Sequence, residues 1–368
     1  MAPTLRDSQA PIERVQVRAY TVPTEEPESD GTLEWRATTL VLVSIAAGSV
    51  SGLGYSYADT ATARLIHERL AALLEGKDAL AINARWEEMV RTVRNLGSAG
   101  ICAMGISAVD NALWDLKARL LGLPLVALLP AARASVPVYG SGGFTSYDIP
   151  RLQRQLAAWV SAGIPRVKMK VGRHPDRDRE RVAAARSAIG EARLFVDANG
   201  AYPRKLALEM ARVFAGLGVS WYEEPVSSDD LAGLRLIRDR APAVMEVSAG
   251  EYGYDVRYFR RLCAAGAVDV LQADVTRCGG VTGFLRAAAI ADAFLLPLSS
   301  HCAPALHAAV GCAAPCLRHL EYFHDHVRIE RLLFDGTLEP IEGALVPDRT
   351  RPGFGLELKE SDAERFAV

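Results

Sequence analysis

The chain has 368 residues, half of them hydrophobic, and a formal net charge of −2. That length suits one large and one small domain with a substantial core. The charge balance excludes a nucleic-acid footprint and a polybasic membrane patch.

Residues 1–16 carry Arg6, Asp7, Glu13 and Arg14 without an apolar core of signal-peptide length. The apolar stretch 40–47 is far too short to span a bilayer. The six cysteines form no CxxC pair and read as reduced, packed thiols. The expectation is a cytoplasmic protein.

Residues 13–20 and 37–45 have the β-branched, partly alternating character of strands. Between them, the polar stretch PTEEPESDGT (23–32) predicts a flexible loop, and Gly52-Leu-Gly-Tyr-Ser-Tyr57 predicts a glycine-rich turn. Helical patterns follow at 60–75, 78–96 and 101–121, the last stopped by Gly122 and Pro124. Strands followed by helices predict an α+β unit over residues 1–130.

From residue 131 the pattern changes. Short apolar strands at 135–139, 166–171, 193–198, 220–224, 244–251, 268–274, 295–301 and 317–323 alternate with amphipathic helices. Eight strands with seven helices between them predict an α/β barrel, a modified (β/α)7β TIM barrel, over 131–328. A doubly wound open sheet is the alternative. The segment 329–368 is expected to pack back on the first unit.

The residues ending these strands are Lys168 and Lys170, Asp197, Glu223, Glu251, Asp274, His301 and Glu321. From Lys170 onward the spacings are 27, 26, 28, 23, 27 and 20, about one β/α unit each. In a barrel such ends converge on one face. Asp197, Glu223 and Glu251 would repel one another unless a hard divalent cation lay between them; Mg²⁺ is the natural choice, with Mn²⁺ as a substitute.

Only six of the 42 basic residues are lysine, and Lys168 and Lys170 share one alternating strand that turns both inward. A crowded lysine can lose its proton where arginine does not. Lys170 is therefore read as a base, and Lys168 as a carboxylate-binding charge that lowers the Lys170 pKa. Asp274 and His301, on adjacent strands, form an imidazole–carboxylate pair suited to acid–base work. Glu321, if protonated, donates to a substrate carboxylate. Asn199 is a weaker substrate contact. His67, His174, His307 and His319 are off phase, and His324-Asp-His326 is read as a surface loop. These parts solve one problem: removing a weakly acidic proton α to a carboxylate and stabilising the enediolate.

The fragments Lys168-Met-Lys170, Val196-Asp-Ala-Asn199, Trp221-Tyr-Glu-Glu-Pro225, Ala249-Gly-Glu251, Gln272-Ala-Asp274 followed by Gly279-Gly280, Ser299-Ser-His301 and His319-Leu-Glu321 resemble the mandelate racemase subgroup of the enolase superfamily. So does the stretch Ala108-Val-Asp-Asn-Ala-Leu-Trp-Asp115 through Gly122-Leu-Pro124. The resemblance implies one Mg²⁺ per subunit on Asp197, Glu223 and Glu251, a Lys170 base, a His301–Asp274 dyad and a Glu321 acid. It also implies cap loops near 23–31 and 52–57 that close over a small carboxylate substrate, with Tyr55 among its contacts, and a homo-oligomer between dimer and octamer. Muconate-cycloisomerase-like relatives use a lysine after the sixth strand; this chain has none between Lys205 and Lys359, and carries Arg277 where some subgroup members have lysine. The expected reaction is dehydration of an aldonate or aldarate to a 2-keto-3-deoxy acid. The alternatives are racemisation or epimerisation of a 2-hydroxy acid and, remotely, a non-catalytic binding barrel.

Overall fold

The computed structural model describes residues 9–368; the first eight residues of the expected cap unit lie outside the described residues. Three antiparallel strands open the chain: β1 (Arg14–Ser29), β2 (Glu34–Ala47) and β3 (Val50–Tyr57). The expected flexible loop at 23–32 is mostly strand. β1 runs on to Ser29, and the ladder slips between Pro23 and Glu28, so the polar residues bulge from a paired strand. The turn itself is short, with Asp30 Oδ1 accepting from the backbone N–H of Thr32 and Leu33 at 2.6 and 2.7 Å.

The expected turn at 52–57 is also strand. Its glycines answer to packing, since a Cβ on Gly52 would lie 2.3 Å from the Leu116 nitrogen and one on Gly54 2.3 Å from that of Ala112. Both atoms belong to the helix Ile101–Leu120, which lies directly on the sheet. The pattern at 60–75 forms helix, broken by a π-helical turn at Ile66–Leu70, and that at 78–96 shortens to Ile82–Thr92 followed by a 3₁₀ turn.

The second unit is a closed barrel rather than an open sheet. Its strands are β4 (Val136–Gly142), β5 (Arg166–Lys170), β6 (Arg193–Asp197), β7 (Val219–Glu223), β8 (Glu246–Ala249), β9 (Val270–Ala273), β10 (Leu298–Ser300) and β11 (Leu317–Phe323). Each pairs in parallel with the next, and β11 pairs with β4. Seven helices of nine to fourteen residues bridge successive strands. Amphipathic patterning seats them: Ile149–Ser161, capped by Asp148, buries Leu152 and Leu156 against the barrel.

The helix Ile101–Leu120 joins the two units. Asp110 accepts from the Thr282 N–H (2.9 Å) and hydroxyl (2.7 Å), Ser107 accepts from the Gly279 N–H (2.9 Å), and Asn111 accepts from the Val281 N–H (3.1 Å). These bonds hold the loop after β9 against the cap, fully buried. Gly31, at the β1–β2 tip, has no room for a side chain: a Cβ there would lie 2.3 Å from the Ala198 carbonyl oxygen. The tip therefore rests on barrel backbone. The final segment runs back to the cap, with Gly353 accepting from the Leu125 N–H at 2.6 Å and the Val368 N–H donating to the Ala19 carbonyl at 3.1 Å.

Candidate active site

Alternation along the barrel strands builds the site in two layers. Tyr139, Phe195, Trp221 and Val270 form a buried apolar floor, with the Phe195 and Trp221 rings stacked at 5.3 Å. Two residues further along the same strands stand the charged groups: Asp197 above Phe195, Glu223 above Trp221, and Glu321 above His319. Lys170 is in register with Asp197, and Asp197 with Glu223. The floor excludes water from below, so charges in the upper layer interact strongly.

Asp197, Glu223 and Glu251 each bring one oxygen to within 4.8 Å of the others, and all three are buried. Ligand oxygens sharing one hard cation lie roughly 3–4 Å apart, so small side-chain adjustments suffice. Two features fit a cation. Glu251 Oε2 is buried without a hydrogen-bond partner. Burial first, and then the neighbouring Asp197, push the Glu223 carboxyl up to about 8, a strain that a cation between the two carboxylates would relieve.

Lys168 is fully buried beneath the cavity rather than on its wall. Its ammonium donates to Glu223 Oε1 at 2.7 Å and lies 2.8 Å from Glu321 Oε1. Lys170 reaches the cavity and pairs with Asp197 at 2.5 Å. Burial, the largest influence, pushes the Lys170 ammonium down; Asp197, together with Glu251 and Glu321, outweighs it and holds the pKa above its ordinary value. The expected lowering by Lys168 is present but smaller. Glu321 also departs from expectation. Burial favours its neutral form, but Lys168 and then His301 hold it well below the usual carboxylate range, so it is a carboxylate and not a proton donor here. Its remaining partners, the Ser141 hydroxyl (2.6 Å) and the Cys302 N–H (2.9 Å), both donate to it.

His301 and Asp274 meet at 2.8 Å between Nδ1 and Oδ2. Asp274 Oδ1 accepts from the Thr276 N–H and hydroxyl, both at 2.7 Å. Burial would raise the Asp274 pKa, but the His301 bond and charge depress it below the ordinary value. An ionised Asp274 can only accept, so Nδ1 carries the proton and Nε2 faces the cavity. Burial lowers the His301 pKa, yet Glu251 first and the Asp274 bond next leave it raised overall.

A cavity of about 370 Å³ opens over this layer. Lys170, Glu251, Asp274, His301, Glu321 and Asn199 reach it from the barrel. Asp30, Trp35, Thr38 and Tyr57 reach it from the cap. Asn199 sits at φ 45° with an unpartnered, buried Oδ1. Tyr55 does not take part: its hydroxyl donates to Glu330 at 2.7 Å inside the cap–barrel joint, and Tyr57, at the end of β3, is the tyrosine facing the cavity. The supposed surface loop at 324–326 begins the helix His324–Leu333; His326 is buried, stacked on Tyr57 and part of the cavity wall.

Residues 14–130 match the model for the mandelate racemase/muconate lactonizing enzyme N-terminal domain, and residues 151–362 match the enolase C-terminal domain-like model. The chain belongs to the mandelate racemase/muconate lactonizing enzyme family of the enolase superfamily.

Within that family it is 31% identical to 3,6-anhydro-alpha-L-galactonate cycloisomerase of Streptomyces coelicolor, over 97% of this chain and 99% of that protein. It is 31% identical to L-talarate/galactarate dehydratase of Salmonella typhimurium, over 94% and 89%. The structure of that dehydratase, liganded with Mg and L-lyxarohydroxamate, superposes with a TM-score of 0.90 at 28% identity, covering 100% of this chain and 95% of that one. A mandelate racemase/muconate lactonizing enzyme-like protein from Rubrobacter xylanophilus gives a TM-score of 0.96 at 57% identity, covering 97% and 100%. Its relatives include dehydratases, cycloisomerases and a racemase, and the chain is an enzyme of the lyase or isomerase class.

Four further residues stand at or beside this site; the sequence singled out Arg277 without giving it a role, placed His326 in a surface loop, and gave none to Cys302 and Glu224. Cys302 and His326 line the cavity, and Arg277 joins them with its guanidinium 3.1 Å from the Glu251 carbonyl. Glu224 is buried at φ 38° with an unpartnered Oε1. The Arg277 position, three residues past the β9 end group Asp274, carried a usable signal; the others depend on backbone turns that no periodicity encodes.

Proposed function

We propose that this enzyme abstracts the proton α to the carboxylate of a sugar acid and eliminates the neighbouring hydroxyl, yielding a 2-keto-3-deoxy acid. The observation that carries this reading is one cavity bearing an amine from β5 and an oriented imidazole from the end of β10, beside three converging carboxylates. Asp197, Glu223 and Glu251 would hold a divalent cation, Mg²⁺, which when bound would supply positive charge to stabilise the substrate carboxylate.

The chain's own groups do the rest. Lys170, once unprotonated, takes the C2 proton. His301 delivers a proton from Nε2 to the departing C3 hydroxyl, with Asp274 fixing the ring. Lys168 holds Glu223 and Glu321 in place from below. Asn199 and Glu321 offer polar contacts to the substrate chain. Glu321, being ionised, accepts from a substrate hydroxyl. Functionally the chain divides into a cap (1–130), a catalytic barrel (131–328) and a returning segment (329–368).

Incubation with a library of acid sugars in D₂O, followed by NMR, tests the reading. A keto product with solvent deuterium supports dehydration. Deuterium at C2 with unchanged connectivity would instead support racemisation, which the separate origins of Lys170 and His301 also favour. A cyclised or ring-opened lactone would point to cycloisomerisation. No turnover of any acid overturns the proposal. The six free cysteines support a reducing, cytoplasmic setting. Self-association is expected from the family resemblance, and sedimentation at working concentration checks it.

A further inference from the structure

Immediately after His301 the backbone takes two successive left-handed residues, Cys302 (φ 51°) and Ala303 (φ 41°). This turn folds the Cys302 thiol back over the preceding ring, with Sγ 3.3 Å from His301 Nε2. The same nitrogen lies 3.4 Å from Glu251 Oε2 and 4.0 Å from Glu321 Oε2. His301, Cys302 and Glu321 together offer donor atoms all within 4.8 Å of one another, each from a buried residue. Glu251 Oε2, on a side chain 4% exposed, has no hydrogen-bond partner and is directed at this spot.

In a tetrahedral zinc site the ligand–ligand edges are roughly 3.3–3.6 Å, given bonds of about 2.3 Å to sulfur and 2.0–2.2 Å to nitrogen or oxygen. Two distances from Nε2, 3.3 Å to Cys302 Sγ and 3.4 Å to Glu251 Oε2, fall on those edges; Glu321 Oε2, at 4.0 Å, would have to move in by about half an ångström. The outer shell is also present, because Asp274 accepts from Nδ1 and so turns the Nε2 lone pair toward the ion, as in carboxylate–histidine–zinc arrangements. Thiolate, imidazole and carboxylate form a borderline-soft set, unlike the all-oxygen triad of Asp197, Glu223 and Glu251.

We propose that His301, Cys302 and Glu321, with Glu251 shared as a carboxylate bridging to the triad, form a second metal site, selective for Zn²⁺ over Mg²⁺, whose occupation shuts the enzyme down. Binding forms a Zn–S bond as the Cys302 S–H proton passes to solvent; no electrons are exchanged. Arg277 and Lys170 face the same space, and Lys168 pairs with Glu321 from below at 2.8 Å, while ionised Asp274 backs the ring. Against these cations stand the Cys302 thiolate and the Glu251, Glu321 and Asp274 carboxylates, the negative charge that admits a divalent ion. Bound zinc occupies the nitrogen that would otherwise move a proton. The shutdown rests on the role proposed above for His301, whereas the site itself does not.

The test uses the Mg²⁺-saturated protein titrated with Co²⁺, which replaces zinc and reports its ligands by absorption. A near-ultraviolet thiolate-to-cobalt band together with intense tetrahedral visible bands is expected. Cys302→Ser should lose the near-ultraviolet band. His301→Asn should raise the half-saturating Co²⁺ at least about tenfold, since loss of an outer-shell partner alone costs about 10–100-fold. Absence of the band in the wild type, or its persistence in Cys302→Ser, overturns the site, whether or not any sugar acid is turned over. In a working assay, micromolar-range Zn²⁺ should inhibit despite saturating Mg²⁺, and a chelator should reverse it. Equal zinc sensitivity in wild type and Cys302→Ser would overturn the inhibitory role.

Discussion

Replacing Asp274 with Asn isolates what the carboxylate does for His301. Asp274 Oδ1 is pinned by two donors from Thr276, both at 2.7 Å. In Asp274→Asn the amide oxygen should keep that position, leaving the NH₂ group where Oδ2 now meets His301 Nδ1 at 2.8 Å. Two donors would then face each other. The ring relieves this by moving its proton from Nδ1 to Nε2, the nitrogen that faces the cavity. A neutral imidazole in that tautomer cannot accept a proton on the substrate side, and its protonated form loses the ionic partner that supports it. Loss of one positioned acid–base group costs about 10²–10⁴ in kcat, or ~2.7–5.5 kcal/mol of barrier. The side chain keeps its shape, so KM should change little. Steady-state kinetics of keto-acid formation measure the loss. Exchange of the C2 proton in D₂O measures Lys170 separately and should persist. A kcat within about threefold of wild type would refute the argument that Asp274 sets the His301 tautomer.

Three further outcomes follow from the same structure. Gly54→Ala should destabilise the protein by ~1–3 kcal/mol or more through overpacking, because its Cβ would lie 2.3 Å from the Ala112 nitrogen; a thermal midpoint equal to wild type would contradict that close approach. Glu330, buried in the cap–barrel joint, has its carboxyl pushed up to about 8 by burial despite the Tyr55 hydrogen bond. The folded state therefore holds this proton more tightly than the unfolded chain, so the contribution is full below the ordinary carboxylate pKa and is lost as pH rises toward 8. Wild type should lose on the order of a few kcal/mol relative to Glu330→Gln across that window, and parallel urea-unfolding stabilities at pH 5 and 8 would sink the assignment. Mg²⁺ at 100 times its Kd should stabilise the fold by about 2.7 kcal/mol and raise the melting temperature, an effect that chelation removes and Glu251→Gln sharply weakens; an unchanged Mg²⁺ response in that variant would exclude Glu251 as a ligand.

The two units differ in how far their sequence foretells them. In the barrel, each β/α repeat delivers one strand end to the same face, so a run of ionisable residues at about one-unit spacing already locates Asp197, Glu223, Glu251, Asp274 and His301 together. In the cap, local composition misleads. The glycines at 52 and 54 suggest a turn but serve a helix lying on the strand, a contact spanning some sixty residues of chain.

What the sequence by itself determined was therefore the periodic part: barrel class, strand order, the acidic triad and the oriented histidine, all carried by repeats of two and of one β/α unit. Only the tertiary structure decided the rest. It set Glu321 as an ionised partner of Lys168, exchanged Tyr55 for Tyr57 at the cavity, and turned the Cys302 thiol onto His301. The physical reason is that protonation and reach depend on neighbours distant in the chain and on unusual backbone angles, and neither leaves a periodic trace in the order of residues.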